Sequence, residues 1–235
     1  MLKVENLSTG YGKKQVLFDV SFEVKQGEIV LVIGSNGSGK STVLKAIYGL
    51  MHEFNGSTGK IFFDNEEITN VKTSELIKKG LIYIPQKNNL FEDLTVKENL
   101  EISGITIDHK ILIQKIEKTL GLFTSLIPLL KRTPMKLSGG ERQLLTLAMA
   151  TLHQPKMIMI DEPFAGLSPQ NIEFISDNLK KLNGKNGITL IIVEHRIKEC
   201  VQIANKVIGL KLGKLFSNLG MRPDSNITEL QSIFI

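Results

Sequence analysis

The chain has 235 residues, and 29 lysines and arginines against 24 aspartates and glutamates give it a formal net charge of +5. Hydrophobic residues make up 42% of the sequence, which is enough for an extended core and excludes a wholly disordered chain. The sequence has no tryptophan and its basic residues are scattered, so a nucleic-acid-binding surface is not indicated.

The first part of the chain is predicted to form a small antiparallel sheet. Leu2–Leu7, Val16–Val24 and Lys60–Phe63 have the composition of short strands. The turn sequences Gly10-Tyr11-Gly12 and Asp64-Asn65 separate them. We expect this sheet to pack beside the remaining strands as an N-terminal β subdomain.

Three apolar runs are predicted to be buried strands: Ile29–Ile33, Met157–Ile160 and Ile188–Val193. Each run leads into glycine-rich, acidic or histidine-containing residues and then into a helical pattern. This order predicts an α/β fold in which helices cover a parallel sheet, with functional residues at the strand carboxyl ends. The runs are too short to cross a bilayer, so we expect a cytoplasmic protein that needs a membrane-spanning partner to act at a membrane.

Between about residues 95 and 152 the hydrophobic spacing becomes helical. Thr95–Ile102, Lys110–Leu122 and Gly139–Leu152 carry leucine and isoleucine at intervals of three to four residues. We predict an α-helical subdomain inserted into the α/β core. Residues 217–235 are weakly periodic and are predicted to form a short tail, so residues 1–235 are expected to make a single domain. Cys200, the only cysteine, is predicted to be a buried structural thiol.

The segment Gly34-Ser35-Asn36-Gly37-Ser38-Gly39-Lys40-Ser41 matches the phosphate-binding pattern G-x-x-x-x-G-K-S/T in full. A predicted strand precedes it and a helical stretch follows it. Glycines let the backbone curl so that N–H groups point at phosphate, and the helix N-terminus adds a favourable dipole. Lys40 is expected to reach the β- and γ-phosphates, Ser41 to bind Mg²⁺, and Thr42 to hydrogen-bond a neighbouring phosphate oxygen.

Two carboxylates follow the apolar run Met157–Ile160. Asp161 is predicted to hold Mg²⁺, through water, and Glu162 to orient or deprotonate the attacking water. An apolar run that ends in Asp-Glu is also common where a strand simply leaves the core. Together with the phosphate loop, however, the pair supplies the metal ligand and the base that hydrolysis of a nucleotide requires.

The pentapeptide Leu137-Ser138-Gly139-Gly140-Glu141 narrows this interpretation. Ser138 and Glu141 have the spacing of a capping box at the start of a helix. A capping box does not need two glycines, and Gly139 and Gly140 bare the N–H groups of a helix N-terminus, which is an anion site. The pentapeptide matches the ABC signature. From about Leu2 to Phe216 the chain resembles the ATPases of the ABC family, which implies a P-loop NTPase core with a mixed, largely parallel sheet.

The resemblance implies roles for further residues. Tyr11 falls where these proteins stack an aromatic ring on adenine, although an ordinary turn tyrosine has the same pattern. Gln86 resembles the glutamine that contacts Mg²⁺ and the water and that relays the nucleotide state to the membrane partner. His195 resembles the switch histidine that contacts the γ-phosphate. Ser168 stands where many members of the family have an aspartate, so the segment that crosses to the other subunit departs from the family pattern at this position.

The resemblance also implies partners. In this family Ser138, Gly139 and Gly140 of one subunit complete the ATP site of a second, identical or different, subunit. ATP then favours the closed pair and hydrolysis opens it, which would drive a transmembrane permease. A groove near residues 86–98 would take a short helix of the permease, with Leu90 and Phe91 lining the groove or packing on their own helix. The subunit would lie on the cytoplasmic face of the membrane.

The cargo is the least determined property. Residues 161–169 and 193–195 look most like the ATPases of branched-chain amino acid importers, and the ATPase of the lipopolysaccharide exporter is similarly built. An importer, with a substrate-binding protein as a further candidate partner, is the first expectation. The alternatives are a lipid or lipopolysaccharide exporter and a soluble ABC ATPase such as a cluster-assembly factor. A binding module without catalysis is not indicated, because Glu162 and His195 are both present.

Overall fold

The computed structural model describes residues 1–51, 54, 56–195 and 200–220. The strands of this part are β1 (Leu2–Tyr11), β2 (Lys14–Val24), β3 (Ile29–Ile33), β4 (Thr58–Phe63), β5 (Glu66–Glu67), β6 (Leu81–Ile84), β7 (Met157–Asp161), β8 (Thr189–Val193), β9 (Lys206–Lys211) and β10 (Lys214–Gly220). The α-helices are α1 (Lys40–Ile47), α2 (Thr73–Lys79), α3 (Val96–Ser103), α4 (His109–Leu122), α5 (Gly139–Thr151) and α6 (Pro169–Asn186). Two 3₁₀ helices, Thr124–Leu129 and Pro134–Lys136, connect α4 to α5.

The first sheet is antiparallel, as predicted, with the strand order β2-β1-β4-β5. Strand β1 continues to Tyr11, whereas the sequence predicted that it ends at Leu7 and that a turn includes Gly10. Gly10 instead pairs with Gln15 of β2, and a Cβ at Gly10 would lie 2.0 Å from the carbonyl oxygen of Lys14. The glycine therefore permits a close approach of two strands, which has the same sequence signal as a turn.

The second sheet has the strand order β10-β9-β3-β8-β7-β6. Its strands are parallel except β10, which runs antiparallel to β9. The three predicted buried runs form the inner strands β3, β7 and β8. Along β3, Leu31 and Ile33 face one core and Val30 and Val32 face the other, so the sheet is covered on both sides. These features confirm the predicted fold class.

Helices α3, α4 and α5 lie in the region predicted to be a helical insertion. Val96 and Leu100 of α3 and Leu144 of α5 belong to the same buried core as Ile158 and Ile160 of the sheet. Because the core is continuous, the packing of these helices fixes their position relative to the carboxyl end of β7. That end carries the two predicted catalytic and metal-binding carboxylates.

Strand β10 extends four residues into the segment that was predicted to be a tail, and the rest of that segment lies outside the described residues. Its backbone pairs with β9, so it needs little of the hydrophobic periodicity from which strands are predicted. Cys200 is fully buried, as predicted. In the part of the chain that the structure describes, no helix is long and apolar enough to cross a membrane.

Candidate active site

The predicted site residues follow the carboxyl ends of neighbouring strands in the second sheet. The phosphate-loop segment follows β3, Asp161 ends β7, His195 follows β8, and Gln86 follows β6. Parallel strands place their carboxyl ends along one edge of a sheet. The topology therefore gathers residues that lie far apart in the sequence.

The backbone between β3 and α1 forms a curled loop. Its two ends, Gly34 and Gly39, have φ angles of 155° and 103°, and a Cβ at Gly34 would lie 2.3 Å from the carbonyl oxygen of Leu210. Both positions therefore need glycine. Residues 35–37 are exposed, whereas Ser38 is buried and its Oγ has no hydrogen-bond partner within the described residues. An unsatisfied hydroxyl beside the N-terminus of a helix fits a phosphate oxygen as its partner.

Lys40, the first residue of α1, folds back into this loop. Its Nζ donates to the carbonyl oxygens of Gly34 at 2.8 Å and Ser35 at 3.0 Å. Burial lowers the pKa of this ammonium, and nearby carboxylates, Glu162 first among them, partly oppose that change. An ammonium has three protons, so Lys40 can donate to a bound phosphate in addition to the loop.

Asp161 is buried, and each of its two carboxylate oxygens accepts a hydrogen bond from a different hydroxyl. Ser41 Oγ donates to Oδ1 at 2.9 Å, and Tyr83 Oη donates to Oδ2 at 3.4 Å. Burial raises the pKa of Asp161, and the hydrogen bond from Ser41 opposes this change. The structure thus brings together Ser41 and Asp161, two of the three predicted metal ligands.

The donor set of Ser41 and Asp161 consists of oxygen atoms, which hard divalent cations such as Mg²⁺ prefer. Over the described residues, no group of three or more His, Cys, Asp or Glu side chains could form a protein-only metal cluster. Mg²⁺ does not need such a cluster, because it keeps several waters and takes one or two carboxylates together with phosphate oxygens of the substrate. A carboxylate and a hydroxyl next to a phosphate loop therefore fit Mg²⁺.

Glu162 contacts the other two residues that were predicted to be catalytic. Gln86 Nε2 donates to Oε2 of Glu162, and His195 Nδ1 lies 3.6 Å from Oε1. Glu162 has a φ of 51°, in the left-handed region, which costs a non-glycine residue about 1 kcal/mol. Its N–H donates to the carbonyl oxygen of Val193 at 2.9 Å. Gln86, also predicted to be a metal ligand, is therefore placed against Glu162.

Glu194 was not predicted to have a role, yet its side chain is fully buried. Its Oε1 accepts a hydrogen bond from the N–H of Phe164 at 3.0 Å, and its Oε2 accepts one from the N–H of His195 at 3.0 Å. Glu194 thereby joins the segment after β7 to the segment after β8. The sequence signal was a carboxylate directly after an apolar strand, which is the pattern that identified Asp161 and Glu162.

Tyr11 ends β1 beside the first turn of α1. Its side chain is 42% exposed, its hydroxyl lies 3.5 Å from Oγ1 of Thr42, and Lys45 Nζ lies 5.8 Å from the ring centroid. The structure therefore places an exposed aromatic ring next to the phosphate loop. Such a ring can stack on a planar base.

The signature residues begin helix α5. The capping box is confirmed: Glu141 N–H donates to Ser138 Oγ at 3.3 Å, and Ser138 N–H donates to the Glu141 carboxylate at 2.7 Å. A Cβ at Gly139 would lie 2.9 Å from Leu167 Cδ2, and one at Gly140 would lie 2.7 Å from Asn171 Oδ1. The glycines therefore let the start of α5 pack closely against the segment that follows Glu162.

Ser168, the residue that departs from the family pattern, caps helix α6. Its Oγ accepts a hydrogen bond from the N–H of Asn171 at 3.4 Å, and Pro169 occupies the first helical position. Serine and aspartate are both favoured at helix N-caps. The serine therefore preserves the start of α6.

The comparison with known families agrees with this geometry. The sequence model described as "ABC transporter" matches residues 17–165, which is more than half of the 235-residue chain. The chain belongs to the ABC transporter family. It is an ATP-binding subunit of that family and an ATPase whose hydrolysis of ATP is coupled to transport.

Several relatives of this ABC ATPase are similar over almost their whole length. The probable branched-chain amino acid transport protein LivF of Archaeoglobus fulgidus is 38% identical over 218 residues, covering 93% of this chain and 91% of the relative. The high-affinity branched-chain amino acid transport protein BraG of Pseudomonas aeruginosa is 35% identical, with 92% and 91% covered. The lipopolysaccharide export protein LptB of Haemophilus influenzae is 31% identical, with 92% and 89% covered.

Solved structures of ABC cassettes have the same fold. The ADP conformation of MJ1267, an ATP-binding cassette of an ABC transporter, has a TM-score of 0.88 at 30% identity, covering 99% of this chain and 94% of that one. A dimeric structure of the cassette MJ0796 bound to ADP and Pi has a TM-score of 0.80 at 29% identity, with 94% and 99% covered. Two cassettes of this fold thus bind nucleotide, and one of them is dimeric.

Proposed function

We propose that Glu162 is the general base of ATP hydrolysis and that Gln86 and His195 assist it. The supporting observation is that Glu162 contacts both Gln86 and His195, whereas the adjacent carboxylate of Asp161 contacts Ser41. Glu162 would orient the attacking water and take its proton. His195 would donate to the γ-phosphate, and Gln86 would help to hold the water.

The nucleotide would be bound by the residues that follow β3 and by Tyr11. The phosphates would be held by the N–H groups of the loop, which consists of Gly34, Ser35, Asn36, Gly37, Ser38 and Gly39. Lys40 and Thr42 would donate to phosphate oxygens, and the ring of Tyr11 would stack on adenine. Mg²⁺, when bound with ATP, would neutralise phosphate charge, and it would be held by Ser41, by Gln86 and, through water, by Asp161.

We infer that the working unit contains two such subunits. The N–H groups of Gly139 and Gly140 open helix α5 and suit an anion, and together with the hydroxyl of Ser138, whose own N–H is bound to Glu141, they would complete the ATP site of the second subunit. The dimeric cassette MJ0796, similar in fold to this chain, supports this arrangement. ATP would then hold the pair closed, and hydrolysis would release it.

A groove beside β6 suits a helix of a transmembrane permease. Strand β6 lies at one edge of its sheet, and the groove has a volume of about 260 Å³. Residues that line it include Ile77, Tyr83, Pro85, Asn88, Met149 and His153. Leu90, expected near this groove, packs partly on the core, whereas Phe91 is 52% exposed. Docking here would place this subunit on the cytoplasmic face of the membrane.

Branched-chain amino acids are the proposed cargo class. The support is the similarity to LivF and BraG, which exceeds the similarity to LptB by four to seven percentage points of identity, 38% and 35% against 31%. A soluble substrate-binding protein would then deliver the cargo to the permease.

Affinity purification from detergent-solubilised native membranes, followed by mass spectrometry, tests these partners. We expect a permease with several membrane spans together with a soluble protein that binds branched-chain amino acids. Recovery of a lipid-export membrane protein would overturn the cargo assignment alone. Recovery of soluble proteins only would overturn the permease proposal and leave the ATPase chemistry unaffected.

A further inference from the structure

Tyr83 connects the proposed metal site with the groove beside β6. Its hydroxyl donates to Oδ2 of Asp161 at 3.4 Å. Tyr83 is also among the residues that line the groove beside β6, and its ring packs on the ring of Tyr48, with centroids 5.6 Å apart and planes at 53°. One residue therefore contacts the proposed metal carboxylate and borders the groove.

The hydroxyls of Ser41 and Tyr83 donate to different carboxylate oxygens of Asp161. With Ser41 on Oδ1 alone, the carboxylate plane could rotate, because the terminal torsion of aspartate is broad. A second donor on Oδ2 restricts that rotation. Hydrogen bonds of this kind, made to a metal ligand rather than to the metal, orient ligating carboxylates and tune metal affinity.

The hydrogen bond from its hydroxyl to Asp161 fixes the tip of the Tyr83 side chain. Its position on the edge strand also matters, because β6 is hydrogen-bonded to a neighbouring strand on one side only. Material that fills the groove would lie against Tyr83.

We propose that Tyr83 is a positioning residue, whose hydroxyl orients Asp161 for Mg²⁺ and whose ring makes that orientation respond to occupation of the groove. This inference rests on the proposed role of Asp161 as a metal ligand.

The first test replaces the hydroxyl alone. We expect Tyr83→Phe to raise the Mg²⁺ concentration that gives half-maximal ATP hydrolysis by about 5- to 10-fold and to weaken Mn²⁺ binding to the ADP-bound protein, measured by equilibrium titration, by a similar factor, with ATP affinity in EDTA unchanged. Tyr48→Phe removes the other phenol hydroxyl of the groove and should keep the parental Mg²⁺ requirement. An equal Mg²⁺ requirement in Tyr83→Phe and the parent would overturn the proposal.

The second test fills the groove chemically. Met149 lines the groove and is partly exposed, and the only cysteine of the chain, Cys200, is fully buried. Met149→Cys can therefore be labelled selectively with N-ethylmaleimide. In the Met149→Cys variant, we expect labelling to change the Mg²⁺ concentration that gives half-maximal ATP hydrolysis by about 3-fold or more. In the double variant that also carries Tyr83→Phe, labelling should leave this concentration unchanged. The same shift in both backgrounds would exclude Tyr83 as the link.

A third variant separates the inference from its premise. Asp161→Asn should abolish Mg²⁺-dependent hydrolysis or raise its Mg²⁺ requirement far beyond that of Tyr83→Phe. If Asp161→Asn hydrolyses ATP with the parental Mg²⁺ requirement, the proposed metal role of Asp161 fails, and the role of Tyr83 fails with it. If Asp161→Asn behaves as expected and Tyr83→Phe matches the parent, only the inference about Tyr83 is wrong.

Discussion

Asp161 and Glu162 are adjacent in the sequence, yet their carboxylates contact separate sets of side chains. Asp161 accepts hydrogen bonds from Ser41 and Tyr83. Glu162 contacts Gln86 and His195, and its left-handed backbone breaks the extended path of β7. Because the two environments differ, substitution of each carboxylate should have a different consequence.

Glu162→Gln should lower ATP turnover by about 10²- to 10⁴-fold, the range for loss of a general base, while ATP still binds. The amide cannot take a proton from water, so Mg-ATP should accumulate in a closed dimer. Steady-state phosphate release and gel filtration with Mg-ATP measure these effects.

The matched control is Glu173→Gln, which changes an exposed carboxylate on helix α6 in the same way. Its turnover and its elution should equal those of the parent. If Glu162→Gln keeps parental turnover, Glu162 is not the base. If it loses turnover but elutes as a monomer with Mg-ATP, the paired arrangement is in doubt for the isolated subunit.

Asp161→Asn should raise the melting temperature of the protein at neutral pH in EDTA without nucleotide. Burial raises the pKa of Asp161 in the folded state, so the folded protein holds this proton more tightly than the unfolded chain. The free energy of unfolding therefore falls as the pH rises from the pKa of Asp161 in the unfolded chain to its higher pKa in the folded protein. Above that pH window, the buried ionised carboxylate continues to destabilise the folded state.

Melting curves across the acid and neutral range test this sign. The difference in melting temperature between Asp161→Asn and the parent should become smaller as the pH falls through the raised pKa of Asp161. Asp177→Asn, at an exposed position on α6, is the matched control. A melting temperature for Asp161→Asn that is equal to or below the parental value at every pH would contradict the argument.

Lys40→Ala should weaken ATP binding by at least about 10-fold, because hydrogen bonds to charged groups contribute roughly 1.5–3 kcal/mol each. The fold should tolerate the change, since Lys40 contacts loop carbonyls and its lowered pKa shows that its burial disfavours the charged form. Equilibrium ATP titration and thermal melting measure the two effects, with the exposed Lys180→Ala as the control. Parental ATP affinity in Lys40→Ala would contradict the assignment.

The sequence predicted the phosphate loop and the two carboxylates because each combines a local motif with a buried strand. The three apolar runs predicted the inner strands β3, β7 and β8. Because these strands are parallel, Asp161 and the phosphate loop lie at the same edge of the sheet. The turn Asp64-Asn65 was also predictable, because its positive φ angles, 50° and 65°, suit these residue types.

Other features depend on contacts between distant segments, which no local pattern reveals. The hydroxyl of Tyr83 reaches Asp161 only because β6 and β7 are neighbours in the sheet. Glu194 joins Phe164 to His195 across two strand ends. The packing of Gly140 against Asn171 likewise depends on how α5 contacts α6. The sequence therefore predicted only that the N–H group of Gly140 could bind an anion, and not this contact.

Gly140→Ala distinguishes a packing role from a binding role for this glycine. The new Cβ would lie 2.7 Å from Asn171 Oδ1, so we expect a loss of about 1–3 kcal/mol of stability, seen as a lower melting temperature. Adding Asn171→Ala removes the obstructing side chain and should restore stability, because alanine also favours a helix over glycine by about 1 kcal/mol.

The ATP turnover of the Gly140→Ala/Asn171→Ala double variant then shows whether Gly140 also has a binding role. If the bare N–H groups at the start of α5 serve the phosphate of a second subunit, the methyl group still obstructs them, and ATP turnover stays low although the fold is restored. We expect this result in steady-state assays with saturating Mg-ATP. Parental turnover in the double variant would mean that Gly140 serves the packing of α5 on α6 alone, and the signature would then act through Ser138 and Gly139.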